Sequence, residues 1–282
     1  MIPIVPPVTV LLYHNILAAG LPPHPDPGCI SVDIFEEHMN ALFAAGFESV
    51  SLPEAFAIAV TPPRPSGGTR PKFCVTFDDG LAGLIRFLPR FVQALRPTVF
   101  LISGFVGKFN SWNARAPYIE RHLSLAEIRQ LAAGGVSMEN HGPDHQNLIK
   151  FNRRQLRDRA RRSIAWFEEK LGQPPSYFAY PYGACTPLVS EVAAEFFLGA
   201  VSVNHGTWAG PGARFALNRI SVPAYLSGQE LVSIVRHRPE QRWAEIERRA
   251  PWRKASIAGQ SAASRTSFQT AVAYELPAAA YT

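Results

Sequence analysis

The sequence has few cysteines and lacks any long apolar run. The cysteines are odd in number and widely spaced, so they predict neither a disulfide framework nor a thiolate metal site: Cys29, Cys74 and Cys185. No stretch of about 18 apolar residues occurs, so no transmembrane helix is predicted. The first residues also lack a basic region followed by an apolar segment and a cleavage site, so no secretory signal is predicted. These absences favour a cytoplasmic protein.

Charge is spread unevenly along the chain, whose formal net charge is +6. Residues 151–170 and residues 236–254 each hold seven Lys or Arg against three Asp or Glu. Basic stretches of this kind attract nucleic acid, anionic glycans or anionic lipid head groups. No nucleic-acid-binding motif or row of aromatic residues accompanies them, so no nucleic-acid partner is expected. The simplest interpretation is two solvated helix faces; peripheral membrane contact through them stays open, as does the oligomeric state.

Two adjacent carboxylates, Asp78 and Asp79, follow a short apolar strand. Placing them together is costly unless a positive group lies beside them, and a divalent metal would serve. His141 and His145, four residues apart, follow another predicted strand. The pattern predicts a hydrolytic metal centre with Asp79, His141 and His145 as ligands and Asp78 as the base that deprotonates water. One carboxylate, two imidazoles and no thiolate favour Zn²⁺, with Co²⁺, Ni²⁺ and Mn²⁺ as alternatives.

Three motifs occur in a definite order, Thr76-Phe-Asp-Asp-Gly80, His141-x-x-x-His145 and Tyr180-Pro-Tyr-Gly183. In this order and spacing they resemble the polysaccharide deacetylase family, the NodB-like carbohydrate esterases. The resemblance extends over roughly Val8 to Val222. Tyr13-His14 and the third motif are most similar to the branch of the family linked to exopolysaccharide synthesis.

The third motif carries a further implication of the resemblance. It implies that Pro181, Tyr182 and Gly183 contact the substrate, with the backbone N–H of Tyr182 facing the oxyanion. Aromatic residues in loops, which include Tyr182 and either Trp112 or Trp208, are candidates to line the cleft.

Predicted strands and helices alternate, and the reactive residues follow the strands, which favours a parallel sheet with helices outside it and the site at the carboxyl ends of the strands. The resemblance implies the same α/β fold, a distorted (β/α) barrel with about seven strands, as in NodB-homology domains. We expect one deacetylase domain over residues 1–250. Residues 251–282 are rich in Ala, Ser and Thr with little charge, and predict a disordered tail.

Local patterns mark several helix starts. Capping boxes beginning at Ser51 and Ser124 predict helices there, and Asp33 is predicted to cap another. A single helix of about fifteen residues is expected after Gly80.

The chain departs from the family pattern at several positions. The third motif lacks the arginine that orients the base in the family, and Ala179 or Tyr180 stands near its place. In the second motif, Glu139 replaces the usual Gly, Gly142 replaces Ser or Thr, and Gln146 replaces Pro. A late Leu-x-His motif, the usual source of the general acid in the family, is absent.

The proton donor is therefore open, because amide cleavage needs a group that protonates the leaving amine. The candidates at strand ends are His205, His14 and Asp78 itself after it has taken the proton of water. Recycling of the Asp78 proton is the favoured alternative.

The leading hypothesis is a metal-dependent hydrolase that removes N-acetyl groups from amino sugars of a polysaccharide or oligosaccharide. A second enzyme hypothesis keeps this chemistry but acts on a small amide or a lipid-linked sugar. A third is a catalytically silent carbohydrate-binding protein, which the missing arginine and acid would allow. Retention of both Asp78 and Asp79 argues against it, because a binding protein needs no base.

Overall fold

The computed structural model describes residues 8–60, 70–110, 119–203 and 214–236. Its strands are β1 (Val8–Tyr13), β2 (Asn15–Leu17), β3 (Cys29–Ser31), β4 (Glu48–Ser49), β5 (Lys72–Phe77), β6 (Thr98–Leu101), β7 (Ser137–Asn140), β8 (Tyr177–Ala179), β9 (Gly199–Val201) and β10 (Ile220–Ser221). Its α-helices are α1 (Val32–Ala44), α2 (Leu52–Val60), α3 (Leu84–Phe87), α4 (Val92–Leu95), α5 (Leu125–Ala133), α6 (Arg153–Leu171), α7 (Pro187–Ala194) and α8 (Gly228–Arg236).

Seven strands form a curled parallel sheet in the order β10-β1-β5-β6-β7-β8-β9, and the short β4 pairs with the start of β5. The two edges approach each other through one segment, because Leu217 pairs with Val201 of β9 while Ile220 pairs with Leu11 of β1. Strands β2 and β3 form a separate two-stranded parallel sheet. The predicted distorted barrel of about seven strands is confirmed.

The central strands β1 and β5 are buried on both faces, and only Lys72 among their residues is partly exposed. Parallel strands covered on both faces have continuous apolar sequences, which is why Val8–Tyr13 shows no alternation. Within the described residues, no helix combines the length and apolar character needed to cross a membrane.

The helix starts follow the local sequence only in part. Ser124 and Glu127 form the predicted capping box of α5, and α2 begins directly after Ser51. The prediction for Asp33 is wrong, since α1 begins at Val32 and Asp33 lies inside its first turn. The prediction of a single long helix after Gly80 is also wrong.

That stretch contains α3, a 3₁₀ turn over Leu88–Phe91 and α4. Pro89 explains the interruption, because proline lacks a backbone N–H and its ring clashes with the preceding helical turn.

The first basic stretch forms helix α6, and two of its arginines pair with acidic residues in or directly after α7. Arg153 pairs with Glu191, and Arg157 pairs with Glu195 at 2.6 Å between Nε and Oε2. Much of the positive charge of α6 is therefore paired with carboxylates of the same domain. Most of the second basic stretch and the whole predicted tail lie outside the described residues.

Glu139, the departure in the second motif, ties β7 to the start of β8. Its side chain is buried, and its Oε2 accepts the backbone N–H groups of Ser176 at 2.8 Å and Tyr177 at 2.7 Å. Burial raises the pKa of Glu139 from 4.5 to about 7, although these hydrogen bonds oppose the shift. The residue therefore stabilises the strand pair that carries His141.

We expect Glu139→Ala to lower the free energy of unfolding by about 2–4 kcal/mol, because two buried N–H groups lose their acceptor. Glu139→Gln keeps an acceptor oxygen and should lose much less. Because the folded-state pKa is raised, the parent loses stability relative to Glu139→Gln as pH rises from 4.5 towards 7. Urea unfolding of the three proteins across this pH range measures both effects. Equal losses in the Ala and Gln variants would contradict the acceptor role.

Candidate metal centre

The three predicted ligands converge at the carboxyl ends of β5 and β7. Asp79 Oδ1 lies 3.4 Å from His141 Nε2 and 3.4 Å from His145 Nε2. All three side chains are buried. Two ligand atoms bound to a tetrahedral Zn²⁺ at about 2.1 Å would lie roughly 3.4 Å apart, so the spacing fits such an ion.

Hydrogen bonding prepares His141 as a ligand. Its Nδ1 lies 2.8 Å from the carbonyl oxygen of Ala179, which can only accept, so Nδ1 carries a proton. Burial opposes the charged imidazole, but Asp78 and Asp79 raise the pKa of His141, so a cation that binds at Nε2 would displace a second proton. Asp79 Oδ1 is itself buried and accepts no hydrogen bond from the described residues. An acceptor atom in that position, facing two imidazole nitrogens, fits a divalent cation.

Nearby charges favour the ionised form of Asp79, and burial favours the neutral form of His145. Burial by itself would raise the pKa of Asp79, but His145, His141 and His14 hold that pKa far below its ordinary value. Burial lowers the pKa of His145 to about 4, so its imidazole is neutral at pH 7.

Backbone strain is concentrated at the same place. Positive backbone φ angles, which residues other than Gly rarely adopt, occur at Asp79 (69°), His145 (48°) and Tyr182 (59°). The carbonyl of Asp79 accepts a hydrogen bond of 2.8 Å from Nδ1 of the buried His122. The neighbouring structure therefore holds Asp79, a candidate ligand, in a costly conformation, as is common at functional sites.

Asp78 is held by an arginine that the sequence analysis missed. The guanidinium of Arg219 donates two parallel hydrogen bonds to its carboxylate, at 2.7 Å and 2.6 Å, and a third from Nε to the carbonyl of Ser202 at 3.0 Å. Both side chains are buried, and Arg219 is fully so. Burial would raise the pKa of Asp78, but the charge of Arg219 outweighs it, with help from His141, and lowers that pKa.

The arginine that the third motif lacks is thus supplied from the residue before β10. The only sequence signal for it was a charged residue directly before a short apolar stretch, Ile220-Ser-Val222. The third motif does lack an arginine, as the sequence showed, but Asp78 has one from elsewhere in the chain as its partner.

His14 lies beside Asp78 because of the strand register. Tyr13 and Phe77 are paired across β1 and β5, so His14 and Asp78 follow neighbouring strand ends. His14 Nδ1 is 2.6 Å from Asp26 Oδ2, and its side chain is 29% exposed. Burial opposes the charged imidazole, but Asp26 outweighs it and, with the carboxylates of the centre, raises the pKa of His14 to about 10.

The Leu-x-His motif that is absent from the later part of the chain has a counterpart near its start, Leu12-Tyr13-His14. A residue with this environment is protonated at neutral pH and is partly open to solvent.

The third motif lies beside His145. Pro181–Gly183 form a 3₁₀ turn directly after β8, and the Tyr182 side chain is 54% exposed. Its ring centroid is 4.5 Å from that of His145. The structure thus brings the third motif to the ligands, while the predicted residues His205, Trp112 and Trp208 lie outside the described residues.

A parallel βα-barrel with a buried Asp-His-His cluster at its carboxyl-terminal strand ends is a scaffold for a hydrolytic metal centre. Residues 67–200 match the family model for polysaccharide deacetylase. The Bacillus subtilis (strain 168) protein YxkH, whose name places it among the polysaccharide deacetylases, is 23% identical over 224 residues, which cover 78% of this chain and 72% of that protein.

Two solved structures share the fold. IcaB from Ammonifex degensii has a TM-score of 0.65 at 22% identity, covering 82% of this chain and 96% of its own. The Streptococcus pyogenes deacetylase PplD, in complex with acetate, has a TM-score of 0.63 at 19% identity, covering 80% of this chain and 96% of its own. The family resemblance of the three motifs is confirmed, because residues 67–200 match the polysaccharide deacetylase model and the fold is shared with solved deacetylases.

Proposed function

We propose that the chain is a metal-dependent hydrolase that removes N-acetyl groups from amino sugars of a glycan. The observation that supports this most directly is the convergence of Asp79, His141 and His145 beside an ionised Asp78. These three residues would hold one divalent ion, with Zn²⁺ favoured. When bound, such an ion polarises the amide carbonyl and brings the pKa of a bound water towards about 7.

The remaining chemistry belongs to the side chains around the ligands. Asp78 accepts the proton of the attacking water, and the bidentate contact with Arg219 keeps its carboxylate ionised and fixed in orientation. The turn at Tyr182 would present its backbone N–H to the developing oxyanion. The exposed Tyr182 ring offers an apolar surface against which a sugar ring could pack.

For the proton donor we propose His14, in place of a recycled Asp78 proton. Arg219 lowers the proton affinity of Asp78, whereas Asp26 raises that of His14 and holds its imidazole in place. The imidazolium can protonate the leaving nitrogen as the tetrahedral intermediate collapses. The carboxylate of Asp26 then takes the role of the group that orients a catalytic histidine.

Acetate release tests the proposed function directly. The metal-loaded protein should release acetate from chitooligosaccharides, poly-N-acetylglucosamine or peptidoglycan fragments, and Asp78→Asn should retain the metal but lose most of this activity. Turnover of small non-sugar amides alone would favour the second enzyme hypothesis. Glycan binding without any acetate release would favour the silent binding protein.

We expect His14→Ala to lower kcat by about 10²–10⁴-fold, since general-acid catalysis contributes about that much, and to remove the alkaline limb of the pH–rate profile. Asp26→Asn should keep an alkaline limb but move it to lower pH, because Asp26 is the group that raises the pKa of His14. Metal content, measured in both variants, serves as the control. Near-parental rates in His14→Ala with full metal content would return the proton transfer to Asp78.

A further inference from the structure

A second cluster of metal-ligating side chains lies beside the catalytic centre and shares no residue with it. One ligand atom each from His24, Cys29 and Glu120 lie within 4.8 Å of one another. The residues come from three segments: the loop before β3, the first residue of β3 and the stretch that precedes α5. None of them has a part in the proposed reaction.

The cluster is almost completely buried. The side chains of His24 and Glu120 are each 2% exposed, and Cys29 is 2% exposed. Glu120 Oε1 lies 3.8 Å from His24 Nε2, and Glu120 Oε2 lies 3.8 Å from Cys29 Sγ. Two ligand atoms on a tetrahedral Zn²⁺ would be separated by roughly 3.4–3.5 Å, so small side-chain movements would bring all three to bonding distance.

Glu120 is a carboxylate in need of a cation. Across the described ranges, no Arg or Lys forms an ion pair with it. Its side-chain contacts are the Asn15 amide at 3.0 Å, the Cys29 thiol and, at 3.8 Å, the imidazole of His24, whose pKa is lowered by burial. Burying a carboxylate without a positive partner is costly. Consistently, burial, together with the charges of Asp26 and Asp79, raises the pKa of Glu120 to about 7.

His24 is oriented towards the carboxylate by its other nitrogen. Its Nδ1 contacts the backbone of Asp26, at 3.0 Å from the N–H and 3.3 Å from the carbonyl oxygen. The N–H can only donate, so in the absence of metal Nδ1 accepts it and the ring proton lies on Nε2, which faces Glu120. Binding of a metal at Nε2 would move this proton to Nδ1, where the carbonyl oxygen of Asp26 can accept it.

We propose that His24, Cys29 and Glu120 form a second divalent-metal site that takes Zn²⁺. A thiolate, an imidazole and a carboxylate together suit Zn²⁺ and disfavour Mg²⁺ and Ca²⁺, which prefer oxygen ligands alone. Binding releases the thiol proton of Cys29 to solvent, along with the Glu120 proton where one is present. The two anionic ligands then neutralise the ion within the buried site.

The site would have a structural role. His24 and Cys29 flank Asp26, whose carboxylate accepts the Gly28 N–H at 2.8 Å and contacts His14. A metal bridging both sides of this loop to Glu120 would fix the position of Asp26 and, through it, His14. The proposal does not depend on the reaction assigned to the first centre, because the two sites share no ligand.

Cobalt substitution separates the two sites. The Asp79, His141 and His145 set contains no sulfur, so a thiolate-to-Co²⁺ charge-transfer band in the near ultraviolet can arise only from a site with a cysteine. We expect about two Co²⁺ per parent chain under reducing conditions, with the band present. His141→Ala should bind one ion and keep the band.

Cys29→Ser should also bind one ion but lose the band, while Cys185→Ser, a matched change at a cysteine outside the cluster, should keep both ions and the band. Glu120→Gln, which preserves the shape of the side chain, should weaken binding at the second site at least tenfold without changing the first. A parent protein that binds a single ion without the band would overturn the proposal. So would a band that survives Cys29→Ser.

Discussion

His141→Ala is expected to strip the catalytic centre of its metal and to lower kcat/KM below about one thousandth of the parental value. The imidazole supplies one of three ligands, and its Nδ1 contact with Ala179 shows that it is preorganised for that role. A catalytic metal ion typically stabilises the transition state by several kcal/mol. Because each 1.4 kcal/mol corresponds to about a tenfold change in rate, loss of the ion accounts for the expected decrease. Metal analysis and acetate release together measure the effect.

Asp78→Asn is the matched control for this change. It alters a carboxylate next to the ligand set but removes no ligand, so the metal should stay while most of the activity is lost. An Asp78→Asn protein that hydrolyses as fast as the parent would show that Asp78 is not the base. Full metal content in His141→Ala, in turn, would contradict the assignment of the ligands.

Arg219→Met should destabilise the fold by about 3–5 kcal/mol, because removal of one partner leaves the other as a buried, uncompensated charge. Asp78 would lose both hydrogen bonds from the guanidinium, and its pKa should rise. In the parent, the pKa of Asp78 is lowered. The pair with Arg219 therefore stabilises the fold at pH values above the ordinary carboxyl pKa, and this stability is lost only at more acid pH. In the variant, stability should instead fall as pH rises and the unpaired carboxylate ionises.

A double-mutant cycle isolates this interaction from the packing of the arginine side chain. The double variant Arg219→Met with Asp78→Asn should be less destabilised than the sum of its two single variants, since neither charge remains. Arg219→Lys keeps the charge but not the bidentate geometry, so it should retain part of the stability and lose more activity. Simple additivity in the cycle would show that Arg219 acts by packing alone.

The sequence alone was sufficient to predict the features that depend on residues close together in the chain. Asp78 and Asp79 are adjacent, and His141 and His145 are four residues apart, so their spacing indicates a ligand set before any fold is known. The predicted strands ended at these residues, and parallel strands bring their carboxyl ends to one edge. That is why the parallel sheet and the convergence of these residues and Tyr182 at one edge could be predicted from the pattern, while the distorted barrel followed from the family resemblance.

Only the tertiary structure decided which distant charges meet. Arg219 precedes β10 and Asp78 follows β5, and both strands flank β1 in the curled sheet. This strand order allows the two side chains to meet. His14 becomes a neighbour of Asp78 through the register of β1 on β5, and a loop residue, Asp26, holds its imidazole. These partners lie up to 141 residues apart, and composition and periodicity carry no information about strand order. A buried charge needs a partner close in space, and only the fold determines which residue that is.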